Sequence, residues 1–291
     1  MLTSRSYSRI IAGTMTWGSW GKALSTKGMQ TLMHHCIAQG ISTFDHADIY
    51  GGYTNEADFG KAWAGANIPR DQIQLISKCG IQFKCEARPH DIGHYQYDTA
   101  YIMAQVEQSL KNLRTDYLDM LLMHRPSPLM QPDEIAEAVT RLRKAGKIID
   151  FGVSNFTPSQ TALIHSRVPV QGNQVECSLT QVATLYDGTL DDCIQHQRMA
   201  MAWSPLGGLF QADTEPKKRI KKQLAILTEK YGISENQLIL AWLLKHPAQI
   251  HPVIGTTDPD RIADSQAALN LELELIDWFH LLKASHGHDV P

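Results

Sequence analysis

Asp45, Tyr50, Lys78 and His124 are side chains able to deliver a proton to a carbonyl oxygen, and each follows a short apolar run that reads as a strand. Tyr50 lies beyond Asp45 in the segment DHADIYGG, whose closing glycines let the loop fold the phenol back over the strand ends. Lys78 follows IQLIS, so its ammonium projects from the end of a buried strand. A buried lysine needs a counter-charge, and Asp45 on the neighbouring strand supplies one. A cation beside the phenol favours phenolate, so the pKa of Tyr50 is expected to fall below its ordinary value of about 10. His124 closes YLDMLLM and precedes Arg125 and Pro126; an imidazole there can hold a carbonyl by a hydrogen bond or pass a proton to Tyr50. Taken singly, these residues have plainer roles: a cap for Asp45, a loop aromatic for Tyr50, a solvent-seeking lysine, a structural histidine. Their joint placement on consecutive strands favours hydride-transfer chemistry. The rival is a metal-dependent barrel hydrolase with His46, Asp48 and His124 as ligands. It lacks an H-x-H pair on the first strand and further ligands at the later strand ends, so no metal is expected.

Short β-branched or apolar runs alternate with longer amphipathic segments along the whole chain, the pattern of parallel βα units. Strands are expected at 9–14, 42–45, 73–77, 117–123, 148–153, 172–175, 199–203 and 250–254. Helices are expected at 27–39, 55–64, 99–112, 132–145, 161–166, 190–197, 234–246 and 259–269. Thr157-Pro158 and Asp258-Pro259 offer N-cap oxygens with proline at the first helical position, and Gly40 and Gly146 offer left-handed stops. Two helices exceed the repeat, an additional one at 218–230 before the seventh crossover helix and a terminal one at 273–284. The expected fold is a single (β/α)8 barrel filling the chain, with its site at the C-terminal ends of the strands, where all four opening residues fall.

With 291 residues, 43% of them hydrophobic, the chain has the material for such a barrel. A formal net charge of −3 leaves no footprint for nucleic acid or anionic membrane, and the cluster Lys217, Lys218, Arg219, Lys221 and Lys222 reads as a solvated helix face. Cys36, Cys79, Cys85, Cys177 and Cys193 show no zinc-like spacing and are odd in number, which fits a reducing cytosol. No apolar run has the length of a membrane span, and the N-terminal segment lacks a signal-type apolar stretch. A cytoplasmic protein acting on a small molecule is expected, as a monomer or weak homo-oligomer.

The segments DHADIYGG, ISKCG, LLMHRP, FGVSNF, NQVE, AWSPLGG and PVIGTTDPDRI, in that order over 11–268, resemble the successive signatures of the aldo-keto reductase superfamily, specifically its bacterial cytosolic oxidoreductases. The resemblance implies a general acid in Tyr50, a tuning pair in Lys78 and Asp45, and a carbonyl-orienting group in His124. It also implies a nicotinamide cofactor stretched across the barrel mouth, and nothing in the chain resembles a Rossmann GxGxxG. Thr16 and Trp17 would lie beside the nicotinamide, Ser154, Asn155 and Gln174 at its carboxamide, and Trp203 on its face. Ser204, Leu206 and Gly207 would follow beneath the pyrophosphate. The segment IGTTDPDRI leads from a strand into a helix N-terminus, where free N–H groups and the dipole suit an anion. Arg261, Thr256 and Thr257 would hold the 2′-phosphate of NADPH, making NADH the lesser cofactor, while Gly255 stands where relatives often carry lysine. Asp264 and Ser265 match the adenine positions. Trp17 and Trp20 are expected to wall a substrate pocket left open by short loops, the longest loop being 83–98. The expected activity is NADPH-dependent reduction of aldehydes or ketones; the alternative is a cofactor-binding sensor or regulatory subunit with vestigial turnover.

Overall fold

A computed structural model describes residues 7–212 and 214–290. Eight parallel strands close into a barrel in chain order: β1 (Ile11–Gly13), β2 (Thr43–Asp45), β3 (Gln74–Cys79), β4 (Leu118–Met123), β5 (Ile148–Ser154), β6 (Gly172–Glu176), β7 (Met199–Trp203) and β8 (His251–Ile254), with β8 bonded back to β1. The surrounding helices are α1 (Thr26–Ala38), α2 (Asn55–Ala64), α3 (Thr99–Leu113), α4 (Pro132–Lys144), α5 (Pro158–His165), α6 (Thr189–Gln195), α7 (Glu215–Tyr231), α8 (Glu235–Leu244), α9 (Pro259–Ala267) and α10 (Leu275–His286). The (β/α)8 expectation holds, with α7 as the additional helix and α10 as the terminal one. None of the helices among the described residues is long and apolar enough to cross a membrane.

The strands are apolar because both faces are covered. Ile11, Ile76, Met120, Leu122, Met201 and Val253 fill the barrel interior, while the outward residues pack beneath the helices. Helix starts follow cap chemistry: Ser25, Asp98 and Ser234 each accept a backbone N–H of the first turn. Thr157 and Gln160 form a reciprocal capping box that starts α5 at Pro158, three residues before the sequence pattern places it. At the other end of the chain, α10 is fixed to α8 by stacked Trp242 and Trp278, 5.1 Å apart, whose indole N–H groups each donate to the other's backbone carbonyl.

One expectation changes. The 83–98 segment is not a plain loop, because Ile81–Gln82 and His94–Tyr95 pair antiparallel as a small hairpin hanging from the end of β3. The phenol of Tyr53 ties it to the rest of the mouth, donating to Ile81 O and accepting from Phe83 N.

Candidate active site

Barrel register brings the four opening residues together. Asp45 ends β2 in register with Gly13 on one side and Ile76 on the other, Lys78 lies near the end of β3, and His124 immediately follows β4. Tyr50 reaches them because Gly51, Gly52 and Tyr53 are consecutively left-handed and turn the loop back, a conformation glycine adopts without strain.

The Lys78 ammonium is almost fully buried and donates to both carboxylate oxygens of Asp45 at 2.7 Å, to His46 O at 2.7 Å and to the Tyr50 hydroxyl at 3.2 Å. Asp45 also accepts from Gln174 Nε2 at 2.8 Å. Burial works against the lysine charge, but Asp45 and the phenol outweigh it and hold Lys78 above the usual lysine range. For Tyr50 the balance runs opposite to the expectation. Burial, joined by the Asp45 charge, raises the phenol pKa by more than Lys78 and Arg125 lower it, so Tyr50 stays protonated. His124 faces Tyr50 edge-on, ring centroids 6.2 Å apart, and burial together with Lys78 and Arg125 holds it well below the imidazole range, hence neutral. Its Nδ1 is buried without a hydrogen-bond partner. The His46 and Asp48 side chains make no hydrogen bond to these groups: His46 bonds to the Thr14 hydroxyl at 2.9 Å and packs edge-on against Phe59, and the Asp48 carboxyl is buried.

A cleft of about 1200 Å³ crosses the barrel mouth from these residues. Asp45, Tyr50, His124 and Trp20 line it together with Thr16, Ser154, Gln174 and Trp203. Ser204, Leu206, Gly207, Gly255, Thr256, Thr257, Arg261 and Ser265 continue the wall. Gly207 is left-handed, and a Cβ there would lie 2.1 Å from Thr180 Oγ1, so no other residue fits this part of the wall without a shift. Ser204 and Asn155 are also left-handed, conformations that cost about 1–3 kcal/mol and cluster at functional sites.

Besides Lys78, which is buried and bonded to Asp45 and Tyr50 without lining the cleft, three sequence-derived positions fall outside it. Trp17 is buried beneath it, 6.0 Å from Phe44 and 5.9 Å from Phe59, because the 14–24 loop folds this indole inward and leaves Trp20 at the mouth. Asn155 stands behind the wall, accepting the Trp203 indole N–H at 3.0 Å and donating to Ser154 Oγ at 2.8 Å; it braces the tryptophan. Asp264 accepts from Ser234 Oγ at 2.7 Å instead of facing the cleft. The α9 N-terminus also differs from the expected ring of free donors, since Asp258 accepts from the backbone N–H groups of Asp260 at 2.9 Å and Arg261 at 3.4 Å. Beside this capped terminus the cleft lining holds the exposed Arg261 and the half-buried Thr256 and Thr257. Arg125 and Asn236 line the cleft although sequence reasoning passed over them. Arg125 directly follows His124, and the capping box Ser234 to Gln237 would have placed Asn236 in the first turn of a helix.

A barrel with this mouth chemistry defines an oxidoreductase class, and the chain belongs to the aldo/keto reductase family, whose model matches residues 9–281. It is 41% identical to the oxidoreductase YcsN of Bacillus subtilis (strain 168) over 98% of this chain and 96% of that one. It is 36% identical to the 6-dehydroglucose reductase of Agrobacterium fabrum over 97% and 96% of the two chains. The glycerol dehydrogenase AKR11B4 from Gluconobacter oxydans shares the fold, with a TM-score of 0.86 at 23% identity over 98% of this chain and 93% of that one.

Proposed function

We propose that the protein is an NADPH-dependent reductase of aldehyde or ketone carbonyls with Tyr50 as the proton donor. The observation that carries this reading is the buried Lys78 ammonium shared between Asp45 and the Tyr50 hydroxyl, beside a cleft whose lining includes an exposed arginine. When bound, the nicotinamide supplies a hydride. The chain's own residues do the rest. Neutral His124 and protonated Tyr50 face the carbonyl oxygen, and the Tyr50 proton moves to it as negative charge develops there. Lys78, held by Asp45, steadies the phenolate that remains. Ser154 and Gln174 offer hydroxyl and amide groups to a carboxamide, and Trp203 offers a flat face fixed by Asn155. The name of the 6-dehydroglucose reductase relative supports a carbonyl as the reacting group.

The donor set of Arg261, Thr256 and Thr257 suits a 2′-phosphate. Arg261→Ala should therefore weaken NADPH by roughly tenfold or more, about 1.4 kcal/mol, and leave NADH nearly unchanged. Titrations monitored by tryptophan fluorescence give both constants, and equal losses would remove Arg261 from the phosphate site. Gly255 offers a gain-of-function counterpart, because a Cβ built there meets nothing within 4 Å and its φ is not left-handed. Gly255→Lys should tighten NADPH by about fivefold, roughly 1 kcal/mol, without destabilising the protein. A variant with unchanged preference between the two cofactors would place the phosphate elsewhere.

A further inference from the structure

Arg125 brings to the cleft a second cation beside Lys78, one that makes no hydrogen bond to a side chain of Asp45, Tyr50, Lys78 or His124. Its half-buried guanidinium lies 5.4 Å from the centroid of the Trp203 ring, and it follows His124 in the chain. Nη1 makes two long hydrogen bonds, to Ser154 Oγ and His124 O, each 3.3 Å. Among the described residues no carboxylate pairs with it, and Nε and Nη2 make no hydrogen bond. By contrast, the partly buried Arg70 is matched by Asp119 at 2.6 Å and the buried Arg198 by Asp192 at 2.9 Å. A cation withdrawn from water without an anion is unfavourable unless a ligand completes it.

We propose that Arg125 is a specificity-determining residue and that the substrate carries a carboxylate next to the reacting carbonyl, that is, a 2-oxo acid. This rests on the reductase reading above. The carbonyl oxygen belongs at Tyr50 and His124; Arg125 lines the same cleft and its Nη1 bonds to His124 O, so a charged group attached to the carbonyl carbon is the one it would take. The planar fork of arginine matches a carboxylate with two parallel hydrogen bonds. Trp20, its ring 6.3 Å from that of Tyr50, and Phe83, T-shaped to Trp20 at 5.3 Å, form an apolar corner for the rest of the molecule. The net reaction takes the 2-oxo acid, one NADPH and one proton to the 2-hydroxy acid and NADP+, with hydride added at the carbonyl carbon and the proton at its oxygen.

Phenylglyoxylate and its methyl ester share the ketone and differ in the charge, so they separate the two roles open to Arg125. In steady-state assays of the full chain with NADPH, Arg125→Gln should cut kcat/KM for the acid by roughly 10- to 150-fold, the range of a charge-assisted hydrogen bond. Most of the loss should fall on KM, as expected for binding shared by ground and transition states. The ester should lose less than about threefold, and Arg125→Lys should recover part of the acid activity by restoring charge without the fork. Equal losses on acid and ester would make Arg125 a brace for His124 and Trp203 and overturn the carboxylate assignment. A wild-type protein that reduces benzaldehyde but neither probe would overturn it while leaving the reductase reading intact. Failure on every carbonyl would remove both.

Discussion

Replacing Tyr50 by phenylalanine should lower carbonyl reduction by roughly 100- to 10,000-fold, the usual worth of a positioned general acid, while the affinity for NADPH stays within about twofold. The change removes one hydroxyl that accepts a hydrogen bond from Lys78 at 3.2 Å and leaves the ring contacts with Trp20 and His124 in place. Single-turnover reduction together with cofactor titration separates the two effects. Full activity in the variant would sink the proton-donor assignment, and an inactive parent that still binds NADPH would favour a sensor. The pH profile gives an independent check with a definite sign. Tyr50 donates only while protonated, and its pKa is raised, so the reductive rate should fall only above the ordinary phenol range. His124 is held neutral well below the imidazole range, so no limb should appear between pH about 6 and 8. A limb there would mean that His124 titrates during turnover.

The Asp45→Asn variant should lose about 3–5 kcal/mol of stability, the typical result of removing one partner from a buried ion pair. Lys78 would keep its contacts with His46 O and the Tyr50 hydroxyl but lose the only carboxylate bonded to it among the described residues. Since whole domains are stable by only about 5–15 kcal/mol, such a loss is visible in urea melts. The double variant Asp45→Asn/Lys78→Met should recover much of it, because no unpaired charge then remains buried, yet it should stay inactive. If the single variant loses less than about 1 kcal/mol, the pair is not the electrostatic anchor of the mouth.

Sequence and structure agree best where a strict local rule applies. The strand β7 and the helix α2 have the bounds that periodicity assigns, and the ends of β2, β3 and β4 place Asp45, Lys78 and His124 as read from the apolar runs before them. The hairpin escaped because two-residue strands are too short for alternation to register. Trp17 and Trp20 share one glycine-rich loop, GTMTWGSWG, with no period to say which indole turns inward. That choice is made by loop hydrogen bonds such as Lys22 N to Thr16 O at 2.7 Å and Leu24 N to Trp17 O at 2.8 Å. The direction of the Tyr50 shift depended on how deeply its hydroxyl is enclosed, which the neighbouring cation does not reveal. Asp258 was legible as a cap; that the same carboxylate occupies the helix donors needed its contacts.

The hairpin hanging from β3 touches the proton-transfer groups only through their surroundings, whereas Asp45, Lys78 and His124 are spaced by backbone pairing between β2, β3 and β4. The mouth is thus modular. Asp45, Lys78 and His124 are fixtures of the barrel frame, Tyr50 rides on the loop whose Tyr53 phenol bonds to the hairpin, and the hairpin is a fitting on the rim. A longer or shorter hairpin between Gln82 and His94 would reshape the rim beside Trp20 while the backbone pairing that spaces Asp45, Lys78 and His124 stays as it is.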